Sequence, residues 1–198
     1  MKKKPLTIAF LLLSLLCKAE SKNDQKAIAL ERKAVNIFTY NHQNDDSIRL
    51  ALKYINQAIG ISNHNYVFYT MKATMQCTVG EPDSALNTLN TCLSLYPDLL
   101  TVRMGKAMFL ERMNKNNEAM VEYKDLLNRY SKLAIKYPDS IYIRANKAMA
   151  IMFVKGELAG RKEYDAVCKQ FPGNKKVESA RSFFYDFDRK KFIKSICE

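Results

Sequence analysis

Cysteine and histidine are the side chains here with the widest chemical repertoire, and the chain has five of one and two of the other. Once Cys17, inside an N-terminal targeting stretch described below, is set aside, Cys77, Cys92, Cys168 and Cys197 remain. An even cysteine number in an exported protein invites a disulfide reading. Helical spacing argues against the near pairings. Cys77 lies by the turn of a helical hairpin and Cys92 near its far end, about 10 Å away at the rise of a helix, whereas a bridge needs Cα atoms within about 7 Å. Cys197 falls at the opposite end of the last helix from Cys168. The expectation is therefore four buried, unpaired thiols. His42 with Asp45 and Asp46 could loosely ligate a metal, but a loop with a helix-capping aspartate explains the same residues. His64 is the other histidine, also in a loop. There is no phosphate-binding glycine loop, zinc-protease helix motif, nucleophile elbow or Cys–His constellation. The residues thus name no catalytic group, no metal site and no cofactor, and the expectation is a protein that is not an enzyme.

The regularity lies elsewhere, in small residues at fixed intervals. Ala51, Ala85 and Ala119 stand 34 apart (85 − 51 = 34; 119 − 85 = 34). Ala73, Ala107 and Ala148 each precede by 12 residues another small residue, namely Ala85, Ala119 and Gly160. Pro138 and Pro172 are again 34 apart, each after an aromatic residue, as Pro97 follows Tyr96. Proline there ends a helix, because it lacks an N–H and clashes with the preceding turn. Leu89, Tyr123 and Tyr164 lie four after the second small residue, on the same helical face. The stretch Tyr66–Leu99 shows the unit most clearly: two amphipathic helices joined at Gly80–Pro82 and closed by Pro97.

This pattern resembles the tetratricopeptide repeat, with its 34-residue period and small–Ala–aromatic–Pro signature. Tyr69, Arg103 and Arg144 stand where that family has an early Trp, and Lys72–Ala73, Lys106–Ala107 and Lys147–Ala148 where it has Leu–Gly. The resemblance implies an all-α, right-handed α-solenoid of about four helix hairpins plus a capping helix. The repeats fall at about 26–65, 66–99, 100–140 and 141–174, with the capping helix at 175–196.

In chain order, residues 20–25 read as a polar, mobile leader and Lys26–Tyr40 as a first helix. Tyr40–Asp46 reads as a loop about five residues longer than later hairpin turns if Ala34 is the first small contact; without an insertion that contact falls at Thr39. Asp46 or Ser47 caps the next helix. The helix at 117–137 closes seven residues late, and seven residues turn its apolar stripe by only about 20°. This extension either packs on the next repeat or offers a contact surface. The terminal helix carries Phe183, Phe184, Phe187 and Phe192, aromatics that suit a cap or a second copy of the chain.

Residues 1–19 read as a secretory signal peptide: Lys2–Lys4, the apolar run Leu6–Leu16, too short to span a bilayer as a helix, and Ala19 for cleavage. A lipoprotein signal with Cys17 as the lipidated residue is the rival, disfavoured by bulky Leu16 before it, and a retained anchor is a third reading. In each case the address is exported: periplasmic, secreted or envelope-anchored, with membrane association only through an N-terminal lipid or anchor. Removing 1–19 subtracts four lysines and no acids, so the net charge falls from +12 to +8 (12 − 4 = 8). The remaining charge is scattered, which counts against nucleic acid as a partner.

The resemblance implies partner binding through the concave face lined by the first helix of each repeat. There it places Thr70, Thr74 and Cys77, then Met104, Met108 and Arg112, then Tyr142, Ala145, Met149, Met152 and Phe153. Methionine suits an apolar groove for a helix or extended segment, or equally a core between repeats. The Lys/Asn clamp of repeats that hold chaperone C-termini is missing, since Thr70, Thr74, Met104 and Met108 occupy its places. The expected role is a protein–protein scaffold or adaptor in the cell envelope. The alternative is a basic module for nucleic acid or an anionic membrane surface.

Overall fold

The computed structural model describes residues 21–197, so the targeting stretch 1–19 and Cys17 lie outside the described residues. Among those residues the chain is all-α: α1 Lys22–Asn41, α2 Asp45–Ile61, α3 Tyr66–Thr78, α4 Pro82–Leu95, α5 Leu100–Arg112, α6 Asn116–Lys136, α7 Ile141–Lys155, α8 Glu157–Gln170, α9 Lys175–Tyr185 and α10 Arg189–Ser195. Helices α1 to α8 form four hairpins, and each helix packs mainly on the one before and the one after. That nearest-neighbour pattern is the mark of a solenoid. None of these helices is long and apolar enough to cross a membrane.

The spaced small residues are where the hairpins cross. Ala51, Ala73, Ala85, Ala107, Ala119 and Ala148 are all buried. At the fourth crossing contact is closest: a Cβ on Gly160 would lie 2.5 Å from Met152 Cβ and 2.9 Å from its Cα. The stack is thus tetratricopeptide-like. Its turns repeat as well. Gly80 and Asn114 both take left-handed backbone, φ 77° and 60°, and stand 34 apart (114 − 80 = 34). In each case the next N–H reaches back five residues, Glu81 to the Gln76 carbonyl (2.8 Å) and Lys115 to the Leu110 carbonyl (2.9 Å). This closes the helix end in the Schellman manner.

Three expectations about element ends are corrected. Of the leader expected over 20–25, the described residues 21–25 are not free: Ser21 caps α1 in a reciprocal box with Asp24 and the helix starts at Lys22. Where a long loop was expected over 40–46, α1 continues to Asn41. Ala34 is the buried contact and Thr39 is exposed. The cap of α2 is Asn44, whose side chain accepts the Ser47 N–H, rather than Asp46 or Ser47. Helix α6 is continuous over 21 residues. Its extension buries Tyr130 against the following repeat and turns Ile135 outward.

The terminal helix is also not single. The chain breaks at Asp186–Asp188, where Asp188 caps α10 by accepting the Lys191 N–H. Helix α9 covers the end of the stack: Phe184 stacks on Tyr164 with ring centroids 3.8 Å apart, and the Tyr164 hydroxyl donates to the Val177 carbonyl. Helix α10 turns back to α5.

Two glycine substitutions should move stability in opposite directions. Gly160→Ala overpacks the α7–α8 crossing and costs about 1–3 kcal/mol. Gly105→Ala, in α5 with nothing within 4 Å of the added Cβ, gains about 0.4–1 kcal/mol. Urea denaturation of both variants checks the pair.

Candidate partner-binding face

The first helices α3, α5 and α7 form one face of the stack, and its two halves differ. It is open on α3, along α7 as far as Met149, and at Arg112, the last residue of α5. Thr70 and Thr74 are half-buried, their hydroxyls donating to the Val67 carbonyl (2.9 Å) and the Thr70 carbonyl (3.0 Å) of their own helix. Tyr142 is 46% exposed. Met149 and Ala145 are half-buried and Arg112 is exposed.

In the middle of α5 and near the C-terminal end of α7 the face is filled. Met104, Met108, Met152 and Phe153 are only 2%, 6%, 1% and 1% exposed. They share a core with Phe187 and Ile193, against which Phe192 and Ile196 also pack. The chain's own segment from Asp186 to Cys197 joins this core, while Met152 also meets Gly160 of α8 across the hairpin crossing. These four residues are therefore not free groove lining.

Glu111 and Arg189 organise this half. Glu111 Oε1 accepts from Arg189 Nε at 2.7 Å and Oε2 from a terminal guanidinium nitrogen at 3.0 Å, a two-pronged pair. The Tyr123 hydroxyl donates to the same carboxylate at 2.9 Å. The other guanidinium nitrogen donates to the Phe153 carbonyl at 2.9 Å, at the end of α7, where a cation also suits the helix dipole. The guanidinium lies 5.2 Å from the Phe153 ring centroid and 5.7 Å from that of Tyr123, which stack on each other. Burial opposes the charge on Arg189, yet hydrogen bonds and attraction from Glu111 outweigh it and hold its pKa above the ordinary value. Burial, then the Glu111 charge and hydrogen bond, push the Tyr123 phenol far up, so it stays a neutral donor.

A disulfide completes the attachment. Cys77 is bonded to Cys197, with Cα atoms 5.1 Å apart and 120 residues between them. This corrects the expectation of four free thiols. The spacing argument weighed Cys77 only against Cys92, and Cys197 only against Cys168. The break before α10 brings Cys197 to α3, seven elements earlier in the chain (10 − 3 = 7). Cys197 takes φ 82°, left-handed backbone that costs a non-glycine residue about 1–3 kcal/mol. Cys92 and Cys168 are free, and burial raises the Cys92 thiol pKa to about 11. Cys77 and Glu111 are equivalent repeat positions, 34 apart (111 − 77 = 34). Sequence reasoning placed Cys77 on the face and passed over Glu111 and Arg189. The repeat offset was the signal that could have found Glu111.

One polar trio has the composition of a hydrolase centre. Ser62 Oγ lies 3.2 Å from His64 Nε2 and donates to Asp24 Oδ1 at 2.8 Å, while His64 Nε2 lies 3.0 Å from the same oxygen. A nucleophile needs the histidine between serine and aspartate. Here the serine proton already goes to the carboxylate, whose oxygens also cap α1. The trio ties α1 to the end of α2. His42 sits by the Thr39 carbonyl (3.4 Å), and among the described residues no three His, Cys, Asp or Glu side chains gather as metal ligands.

No family model and no curated protein matches the chain. Solved structures similar to it include MamA, residues 41 to the end, from Desulfovibrio magneticus RS-1, at 11% identity over 90% of this chain and 91% of that one, TM-score 0.48. A MamA RS-1 double mutant matches at 12% identity over 89% and 94%, TM-score 0.47. A tetratricopeptide repeat protein from Parabacteroides merdae matches at 16% identity over 85% of this chain and 64% of that one, TM-score 0.47. At these identities the likeness is one of helical stacking and not of function.

Peptide mapping without reductant should return Cys77 joined to Cys197. At pH 8 a thiol of pKa about 11 is roughly one part in a thousand thiolate. Cys92 should therefore resist alkylation until the chain is denatured. A native, unreduced chain in which all four cysteines alkylate would contradict the assignment.

Proposed function

We propose that this chain is a non-enzymatic protein–protein interaction scaffold, exported to the cell envelope, that binds a peptide or protein through its first-helix face. The observation that carries the reading is that this face already holds a helix, by an arginine fork and an aromatic cluster. Such a surface suits helix-in-groove recognition. Beside it the half bearing Thr70, Thr74, Tyr142 and Met149 carries no such segment among the described residues and is where a partner would first engage. The exported address rests on residues 1–19 and is supported by the Cys77–Cys197 bond, since disulfides persist mainly in oxidising compartments.

The basic alternative has less behind it. Arg49, Arg103, Lys106, Arg129, Lys147 and Arg189 each pair with a carboxylate, so much of the positive charge is balanced locally.

The test uses exposed positions, because Met108→Asp would put a charge into the core. Mature protein immobilised and exposed to envelope extract should retain a partner saturably. Tyr142→Glu or Arg112→Glu should weaken that binding at least tenfold while shifting stability by no more than about 0.5 kcal/mol. Equal retention by both variants removes this face from the account. Retention that falls away steeply with salt and returns with polyanions would favour the basic alternative.

A further inference from the structure

The segment 186–197 is placed as a ligand would be. It is the part of the stack that leaves nearest-neighbour order, with α10 lying on α5. Seven residues are too few for a helix to hold itself together, so α10 exists through what it touches. Two of its contacts fall on equivalent places in successive repeats, Cys197 on Cys77 of α3 and Arg189 on Glu111 of α5, and Arg189 also reaches the Phe153 carbonyl of α7. One side is apolar, with Phe192 within 6.2 Å of the Phe153 ring and Ile193 buried. The other side shows Lys190, Lys191 and Lys194 to solvent.

We propose that residues 186–197 are an intramolecular ligand of the first-helix face, latched by the Cys77–Cys197 bond, and that opening this bond with a dithiol frees the face for a partner segment of the same chemistry. That chemistry is an arginine one helical turn ahead of an aromatic–aliphatic pair, as in Arg189, Phe192 and Ile193. The inference rests on the scaffold reading and names its partner class and its control.

The exchange balances as follows. Cys77 is buried and Cys197 half-buried, so a thiolate of the dithiol attacks Cys197 Sγ and the Cys77 sulfur leaves as thiolate. The second thiol of the reagent then displaces Cys197 from the mixed disulfide. Two electrons and two protons pass from the dithiol to the cysteine pair, and the reagent ends as its own disulfide. Without the bond, nothing holds Cys197 in its left-handed conformation at φ 82°. Release of α10 uncovers Met104, Met108 and Phe153, an apolar strip with the Glu111 carboxylate at its edge, which is the complement of the segment that left. While latched, the segment competes at an effective concentration of about a millimolar or more. A partner of micromolar affinity is thereby shut out.

The test uses the full mature chain and a fluorescein-labelled peptide with the sequence of residues 186–197, serine replacing its cysteine. Binding by the reduced chain should be at least tenfold tighter than by the oxidised chain. Cys197→Ser should bind like the reduced chain without any reductant. Because the freed segment still competes from its tether, Cys197→Ser with Phe192→Ser should bind tighter again. Adding Glu111→Gln to that pair should weaken binding at least tenfold while the far-UV helical signal is kept. Equal binding in the oxidised and reduced chains, or none by the Cys197→Ser/Phe192→Ser variant, overturns the proposal. An envelope partner retained equally before and after reduction, and lost in Tyr142→Glu, would leave the scaffold reading standing and remove only the latch.

Discussion

A half-buried guanidinium needs partners for the donors that lose water, and Arg189 has them. It gives two hydrogen bonds to Glu111 and one to the end of α7, and two aromatic rings flank it. The special features of this stack follow from that arrangement. The chain must break after α9 to bring the arginine round, so Asp186–Asp188 interrupts what would otherwise be one helix. Phe187 and Phe192 then pack against Phe153. Cys197 arrives beside Cys77, and a linear stack acquires a link between separated repeats.

The stack beneath rests on a simpler constraint. Two helices can touch only where the side chain between them is small. A residue at each crossing repeats in step with the hairpin, and at Gly160 even a methyl group would overlap Met152. Each hairpin buries its face on the next, giving local contacts from α1 to α8. Such a structure presents an extended surface. Its polar groups are used in caps and clasps: Ser62, His64 and Asp24 at one end, Arg103 and Lys106 on Glu122 in the middle.

The hairpins were legible because a steric rule leaves a period in the sequence. The small residues, the closing prolines and the glycine turns all carry it. What depended on distant parts of the chain was not legible. Phe183, Phe184 and Phe187 share a helical stripe, while Phe192, five positions past Phe187, falls about 140° round from it; with Asp188 as a cap residue, that misfit was the overlooked sign of the break. The cysteine pairing was weighed between neighbours, while the real bond spans 120 residues. Met104 and Met108 read as groove lining from spacing alone. They are core because a segment some eighty residues further on covers them (189 − 108 = 81). At the other end, Ser21 and Asp24 formed a capping pair that a polar composition concealed.

The account stands on the claim that α10 is seated on the first-helix face by Arg189. A double-mutant cycle between Glu111→Ala and Arg189→Ala, read by urea denaturation of the oxidised chain, measures that contact directly. The fork predicts a coupling of about 1.5–3 kcal/mol, the range of hydrogen bonds to charged groups. Strictly additive losses, with no coupling between the two sites, would mean that α10 does not sit where the structure puts it.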